Sequence, residues 1–163
     1  MLAAGRARAV PLILVVDDEH DIRELIAEAL ALEGYDVSTA SDGKIALEQA
    51  QANLPDLILL DLMMPVMSGW EFMEAQRRDP ELASIPVLVV TASFDSEVGG
   101  AAALMRKPFD LETLLPIVAR LCGVGREKVS RVDERLLHRS SLAPRAAPVI
   151  APRSLSGRVT MPR

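Results

Sequence analysis

Leu57-Ile58-Leu59-Leu60-Asp61-Leu62-Met63-Met64-Pro65-Val66-Met67-Ser68-Gly69 carries the reading of this chain. Four apolar residues without alternation suit a strand covered on both faces. Asp61 then puts a carboxylate where that strand breaks into a loop. Taken alone, an Asp there commonly opens a turn. Three other runs end in the same way. Leu12-Ile13-Leu14-Val15-Val16 stops at Asp17 and Asp18, Pro86-Val87-Leu88-Val89-Val90 stops at Thr91, and Ala101 to Arg106 stops at Lys107. Four strand-like runs that each stop at a reactive polar group point to a site along one edge of a sheet.

The segments between the runs read as helices. Ile22, Leu25, Ile26, Ala29, Leu30 and Leu32 recur at helical spacing, and Gly34 supplies a stop. Tyr35 to Ala40 reads as a short strand, Asp42 as the N-cap of a helix to about Gln51, and Gly69 to about Arg78 as a third helix ended by Asp79-Pro80. Asp110 caps a last helix, Leu111 to Cys122, with Leu114, Leu115, Val118 and Leu121 as its inward stripe. Strand and helix alternate, which predicts right-handed crossovers and an open, doubly wound parallel α/β sheet. In the strand order 2-1-3-4-5, functional groups gather at the carboxyl ends of the strands, and strands one and three are neighbours. Asp17, Asp18 and Asp61 then come within reach of one cation.

Composition bounds the rest. The chain has 163 residues, half of them hydrophobic, enough for one domain and an extension. Residues 1–123 hold 20 acidic and 9 basic side chains, whereas 124–163 hold 3 and 9. The expected organisation is therefore a flexible N-terminus over 1–9, one domain over 10–123, and a basic, Pro/Arg-rich tail over 124–163. A short helix around Val129, Val132, Leu136 and Leu137 is expected in that tail, followed by disorder. Cys122 stands alone, so no internal disulfide and no soft-metal cluster are expected. The early apolar run is too short for a signal peptide or a membrane span, and a cytoplasmic protein is expected. The tail lacks aromatic residues and helix-turn-helix length, which argues against nucleic acid as a partner.

Three clustered carboxylates repel one another unless a positive charge sits among them. Lys107 or a hard divalent cation would relieve that repulsion. Mg2+ fits best, since it takes oxygen ligands and keeps several waters. No glycine-rich phosphate loop is present to suggest ATP. A carboxylate beside Mg2+, with a Lys and a Thr nearby, is equipped to attack a phosphoryl group and hold it.

These residues resemble the receiver domain of bacterial two-component response regulators, over roughly residues 10 to 123. The likeness rests on Val16-Asp17-Asp18-Glu19, on Leu60-Asp61-Leu62-Met63-Met64-Pro65 with Gly69, on Thr91-Ala92, and on Lys107-Pro108-Phe109. It implies a flavodoxin-like fold and phosphoryl acceptance on Asp61 from a sensor histidine kinase or phosphotransfer protein. It implies Mg2+ held by Asp17, Asp18, Asp61 and the Met63 backbone carbonyl, with Thr91 and Lys107 contacting the phosphate. It also implies a cis Lys107-Pro108 bond. Such a protein is a signalling phosphoacceptor, not an enzyme, and with no output domain expected it would act by contact with a downstream protein. An aspartyl phosphatase is disfavoured, because Met63 stands where those enzymes usually place a second Asp.

One departure matters. Fifteen residues, Ala92 to Arg106, separate Thr91 from Lys107. After a strand of four or five, about ten remain to cross back, enough in extended form but not as a helix rising 1.5 Å per residue. The fourth helix of the pattern is therefore expected to be shortened or absent around Gly99-Gly100. Leu104 also stands where the family commonly has an aromatic. An alternative reading is thus a non-switching, receiver-like binding module acting as a constitutive adaptor.

Overall fold

The computed structural model describes residues 8–92 and 98–123. The expected tail from 124, and most of the expected N-terminal extension, lie outside the described residues. Among the described residues, five strands and four helices follow in order: β1 (Leu12–Val16), α1 (His20–Leu32), β2 (Asp36–Ala40), α2 (Gly43–Ala52), β3 (Leu57–Leu60), α3 (Gly69–Arg78), β4 (Val87–Thr91), β5 (Ala103–Arg106) and α4 (Leu111–Leu121). All strand pairs are parallel, in the order β2-β1-β3-β4-β5. This is the doubly wound, flavodoxin-like sheet expected.

The uninterrupted apolar runs are explained by two cores. Leu14, Val16, Ile58, Leu60, Val87 and Val89 point to the side with Phe72 and Met73 of α3 and Ala46 and Ala50 of α2. Ile13, Val15, Leu57, Leu59, Leu88 and Val90 point to the side with Ile26 and Leu30 of α1 and Leu114 and Val118 of α4. Each such side chain contributes roughly 1.5–3 kcal/mol on burial. No described helix is long and apolar enough to cross a membrane.

Helix starts follow local chemistry. The Asp42 carboxylate accepts from the backbone N–H groups of Lys44 and Ile45, and Asp110 accepts from that of Thr113. Ser68 and Glu71 form a reciprocal capping box at α3. α1 stops at Leu32, and Gly34 just beyond the Glu33 C-cap has φ of +91°, which suits a residue with no Cβ.

Between β4 and β5, residues 98–102 form turns and no helix; residues 93–97 lie outside the described residues. Val98 and Ala101 pack on the core, Ala102 donates to the Val87 carbonyl at 2.8 Å, and an Arg77 guanidinium N–H donates to the Gly99 carbonyl at 3.2 Å. A short tethered turn thus covers part of the sheet where a helix would otherwise lie. Leu104 remains 41% exposed.

Gly69 is the tightest backbone approach at the carboxyl edge. A Cβ built there would fall 2.3 Å from the Asp61 carbonyl oxygen and 2.8 Å from the Leu62 Cα, both backbone atoms that cannot yield. Gly99 has nothing within 4 Å of its Cβ position. Gly69→Ala is expected to lower unfolding free energy by about 1–3 kcal/mol, and Gly99→Ala to change it by less than about 0.5 kcal/mol. Urea denaturation of the two variants checks this.

Candidate functional site

The site lies where β1, β3 and β4 end side by side. Val16 pairs with Ala40 on one side and Leu60 on the other, so Asp17 and Asp61 leave neighbouring strands at the same level. Each is still fixed by its backbone. The Asp17 N–H donates to the Ala40 carbonyl at 3.1 Å and the Asp61 N–H to the Val16 carbonyl at 2.9 Å. Both side chains are buried.

Lys107 enters from the end of β5, its N–H donating to the Thr91 carbonyl at 3.0 Å. Its ammonium donates to Asp17 Oδ2 at 2.7 Å, Asp61 Oδ2 at 3.1 Å and Glu19 Oε1 at 3.2 Å. The Lys107-Pro108 bond is cis, as the resemblance implies. The second Asp61 oxygen accepts from the Met63 N–H at 3.1 Å, and the second Asp17 oxygen from the Glu19 N–H at 2.9 Å. Thr91 is fully buried at the end of β4, next to this group.

Asp17, Asp61 and Lys107 are thus brought together, and Thr91 meets the group through its backbone carbonyl. The third carboxylate differs. Asp17, Glu19 and Asp61 each offer an oxygen within 4.8 Å of the others, a grouping that could hold a metal ion. Asp18 instead lines an adjoining hollow of about 350 Å3 with Met63, Met64, Pro65, Ser68 and Trp70. Sequence reading gave Glu19 no role. Its signal was weak: a third consecutive acid, at the N-cap of α1, where Glu is not among the favoured caps. Glu19 makes no side-chain cap bond, and its carboxylate reaches Lys107 instead. His20, at the start of α1, lies 3.5 Å from Asp21, both exposed.

Burial pushes the Asp17 carboxyl above its ordinary 3.8; the Lys107 hydrogen bond and the Glu19 N–H oppose this, and the Asp61 charge adds to it. Burial alone would pull Lys107 down, yet the hydrogen bonds and charges of Asp17 and Asp61 outweigh it, and its pKa rises. The two upward shifts are at odds for a simple ion pair. One ammonium shared among three carboxylates reconciles them: Lys107 gains more partners than it needs, while Asp17 receives only part of a counter-charge. The group keeps an excess of negative charge, as a divalent cation site requires.

The sequence matches the response regulator receiver domain family over residues 13–119. The chain belongs to this family. The receiver domain is 40% identical over 121 residues to the DNA-binding dual master transcriptional regulator RpaA of Synechocystis sp., covering 69% of this chain and 49% of the relative. It is 45% identical over 103 residues to the alkaline phosphatase synthesis transcriptional regulatory protein PhoP of Bacillus subtilis, covering 60% and 42%. It thus spans about half or less of these curated relatives. Solved receivers match more fully. Chemotaxis protein CheY4 of Vibrio cholerae aligns with a TM-score of 0.65 at 38% identity, over 69% of this chain and 99% of that one. Response regulator TrrA of Thermotoga maritima, solved in complex with Mg(2+)-BeF, aligns with a TM-score of 0.63 at 34% identity, over 69% and 99%.

The raised Asp17 pKa fixes a sign. Between pH 3.8 and the raised native value, the folded receiver domain holds a proton that the unfolded chain has released, so stability falls as pH rises through that window. This carboxyl's stabilising contribution is complete below pH 3.8 and gone above the native value. Without divalent cations, Asp17→Asn should therefore gain stability relative to wild type as pH rises through the window, measured by urea denaturation at each pH. An unchanged difference would contradict this.

Proposed function

We propose that this receiver domain works in a phosphorelay, with Asp61 accepting a phosphoryl group from the phosphohistidine of a sensor histidine kinase or phosphotransfer protein. The observation that carries the reading is the buried Asp61 carboxylate, with the Lys107 ammonium bridging it to Asp17. A carboxylate oxygen of Asp61 attacks phosphorus, the P–N bond breaks, and its electron pair stays on the imidazole nitrogen. The Lys107 ammonium donates to phosphoryl oxygens as charge builds on them, and the Thr91 hydroxyl donates to another. Fixed donors of this kind need no reorganisation during transfer.

Receiver domains bind Mg2+ at an acidic site, and the carboxylates here fit a hard divalent cation. Asp17 and Asp61 would hold it, joined from the adjoining hollow by Asp18 and the Met63 backbone carbonyl. When bound it supplies positive charge to the phosphoryl oxygens. The remaining work belongs to the chain: β1 and β3 fix the two acids, Met63 orients Asp61, and burial limits access of water. The setting is cytoplasmic, and output is by contact with a downstream protein.

The second reading, a constitutive adaptor that does not switch, is favoured by one observation. The connection from Thr91 to Lys107 is short, and its described part carries no helix. Equal partner affinity with and without beryllofluoride would support that reading; a difference would support switching.

Incubation with Mg2+ and acetyl phosphate, followed by intact-mass measurement, should show one added phosphoryl group. Asp61→Asn should abolish it, and chelation of Mg2+ should slow it by at least about tenfold, given that a metal contributes several kcal/mol to such transition states. Absence of any mass increase in the wild type would overturn the proposal.

A further inference from the structure

A lysine ammonium has three N–H donors. At Lys107 all three have carboxylate partners: Asp17 at 2.7 Å, Asp61 at 3.1 Å and Glu19 at 3.2 Å. We propose that Glu19 is a positioning residue that occupies Lys107 in the unloaded state and releases it to the phosphoryl group, so that Glu19 restrains the loading of Asp61. This rests on the phosphoacceptor reading of Asp61.

Phosphorylation replaces the single negative charge of the Asp61 carboxylate with up to two on a phosphoryl group, whose oxygens call for donors. The three bonds of Lys107 are not equally releasable. The Asp17 side chain is 3% exposed, and loss of its bond would leave a buried carboxylate without its counter-charge. The Asp61 bond passes to the phosphoryl group that replaces the carboxylate charge. Glu19 is 58% exposed, so water can take over its oxygens at little cost. Its oxygen also lies within 4.8 Å of an Asp61 oxygen, where a new dianion would repel it.

Local geometry agrees. Glu19 occupies the N-cap position of α1, yet its side chain caps nothing and extends to Lys107. Glu19 and Lys107 also line the same open groove of about 390 Å3, with Ile22, Ala92 and Phe109, which leaves room for the carboxylate to swing away.

The test is the rate of phosphoryl uptake from acetyl phosphate with Mg2+, followed by intact mass. Glu19→Gln and Glu19→Asp are both expected to load about fivefold faster, the worth of one exposed ion pair. The shortened Asp keeps the charge but cannot span to Lys107. Asp21→Asn removes an exposed charge two residues away with no bond to Lys107, and should stay within about twofold of wild type. Trace acetylation of Lys107 by dilute acetic anhydride, which passes one acetyl group to the amine and releases acetate, should rise in both Glu19 variants when read by peptide mass without any phosphodonor. A fast Gln variant with a wild-type-like Asp variant would reduce the effect to charge and overturn the proposal. Equal acceleration in Asp21→Asn, or no acceleration in either Glu19 variant, would also overturn it. Wild-type protein that takes no phosphoryl group would instead overturn the phosphoacceptor reading, and this proposal with it.

Discussion

Parallel pairing of β1 with β3 is the constraint on which the rest depends. It sets Val16 opposite Leu60, so the next residue on each strand is an aspartate at the same level of the sheet. Neighbouring strands lie about 4.8 Å apart. Two buried carboxylates at that separation repel, and chain connectivity alone gives no relief. The order β2-β1-β3-β4-β5 answers this from the far side: β4 holds the Lys107 N–H through the Thr91 carbonyl, and the long lysine side chain reaches back across to Asp61 and Asp17. The ion pairs are therefore not incidental to the sheet. They are what allows its central strands to end in acids.

This arrangement is costly in stability terms, which argues that it is kept for chemistry. Buried ion pairs seldom exceed well-packed apolar side chains as stabilisers, because each charge must be taken out of water. Gln76 makes the contrast within the same molecule. Its buried amide donates to the Leu82 and Ile85 carbonyls and ties down the turn after α3, a neutral arrangement satisfied by backbone alone. The Lys107 group instead leaves a carboxyl with a raised pKa and an excess of acid. Residues selected only for folding would not be expected to do so.

The fold was legible because both faces of the sheet are covered, so the strands read as unbroken apolar runs and the helices between them as periodic ones. Asp42 and Asp110 marked helix starts by a purely local mechanism and were read correctly. The Ser68–Glu71 capping box is an equally local signal, masked by the apolar loop that precedes it. Other features needed tertiary information. Val66 has φ of +67°, which a β-branched residue avoids, and Met67 donates back to the Pro65 carbonyl across it. That turn is closed from outside, by Gly43 donating to Met67 and Gly69 to Leu62, so no local pattern announces it. Glu19 was hidden for the same reason: whether a surface acid caps its helix or reaches a lysine 88 residues away is decided by the assembled edge. Pro116, inside α4, removes one helical donor, yet the apolar stripe around it keeps the helix intact.

The short β4–β5 connection bears on how the site is joined to the remainder of the domain. A helix lying on the sheet there would be held by its own apolar face. Here the described residues are held in three ways: Val98 and Ala101 in the core, Ala102 bonded to Val87, and Arg77 bonded to Gly99. Arg77 lies in the last turn of α3, and the first residue of α3 is Gly69, pressed against the backbone of Asp61 and Leu62. A ten-residue helix is about 15 Å long and stiff over that length. One end of α3 thus rests on the backbone that carries the reactive carboxylate and the other holds the connection beside the exposed Leu104. The Asp61 loop and that edge are thus joined by contacts at the two ends of one helix, α3.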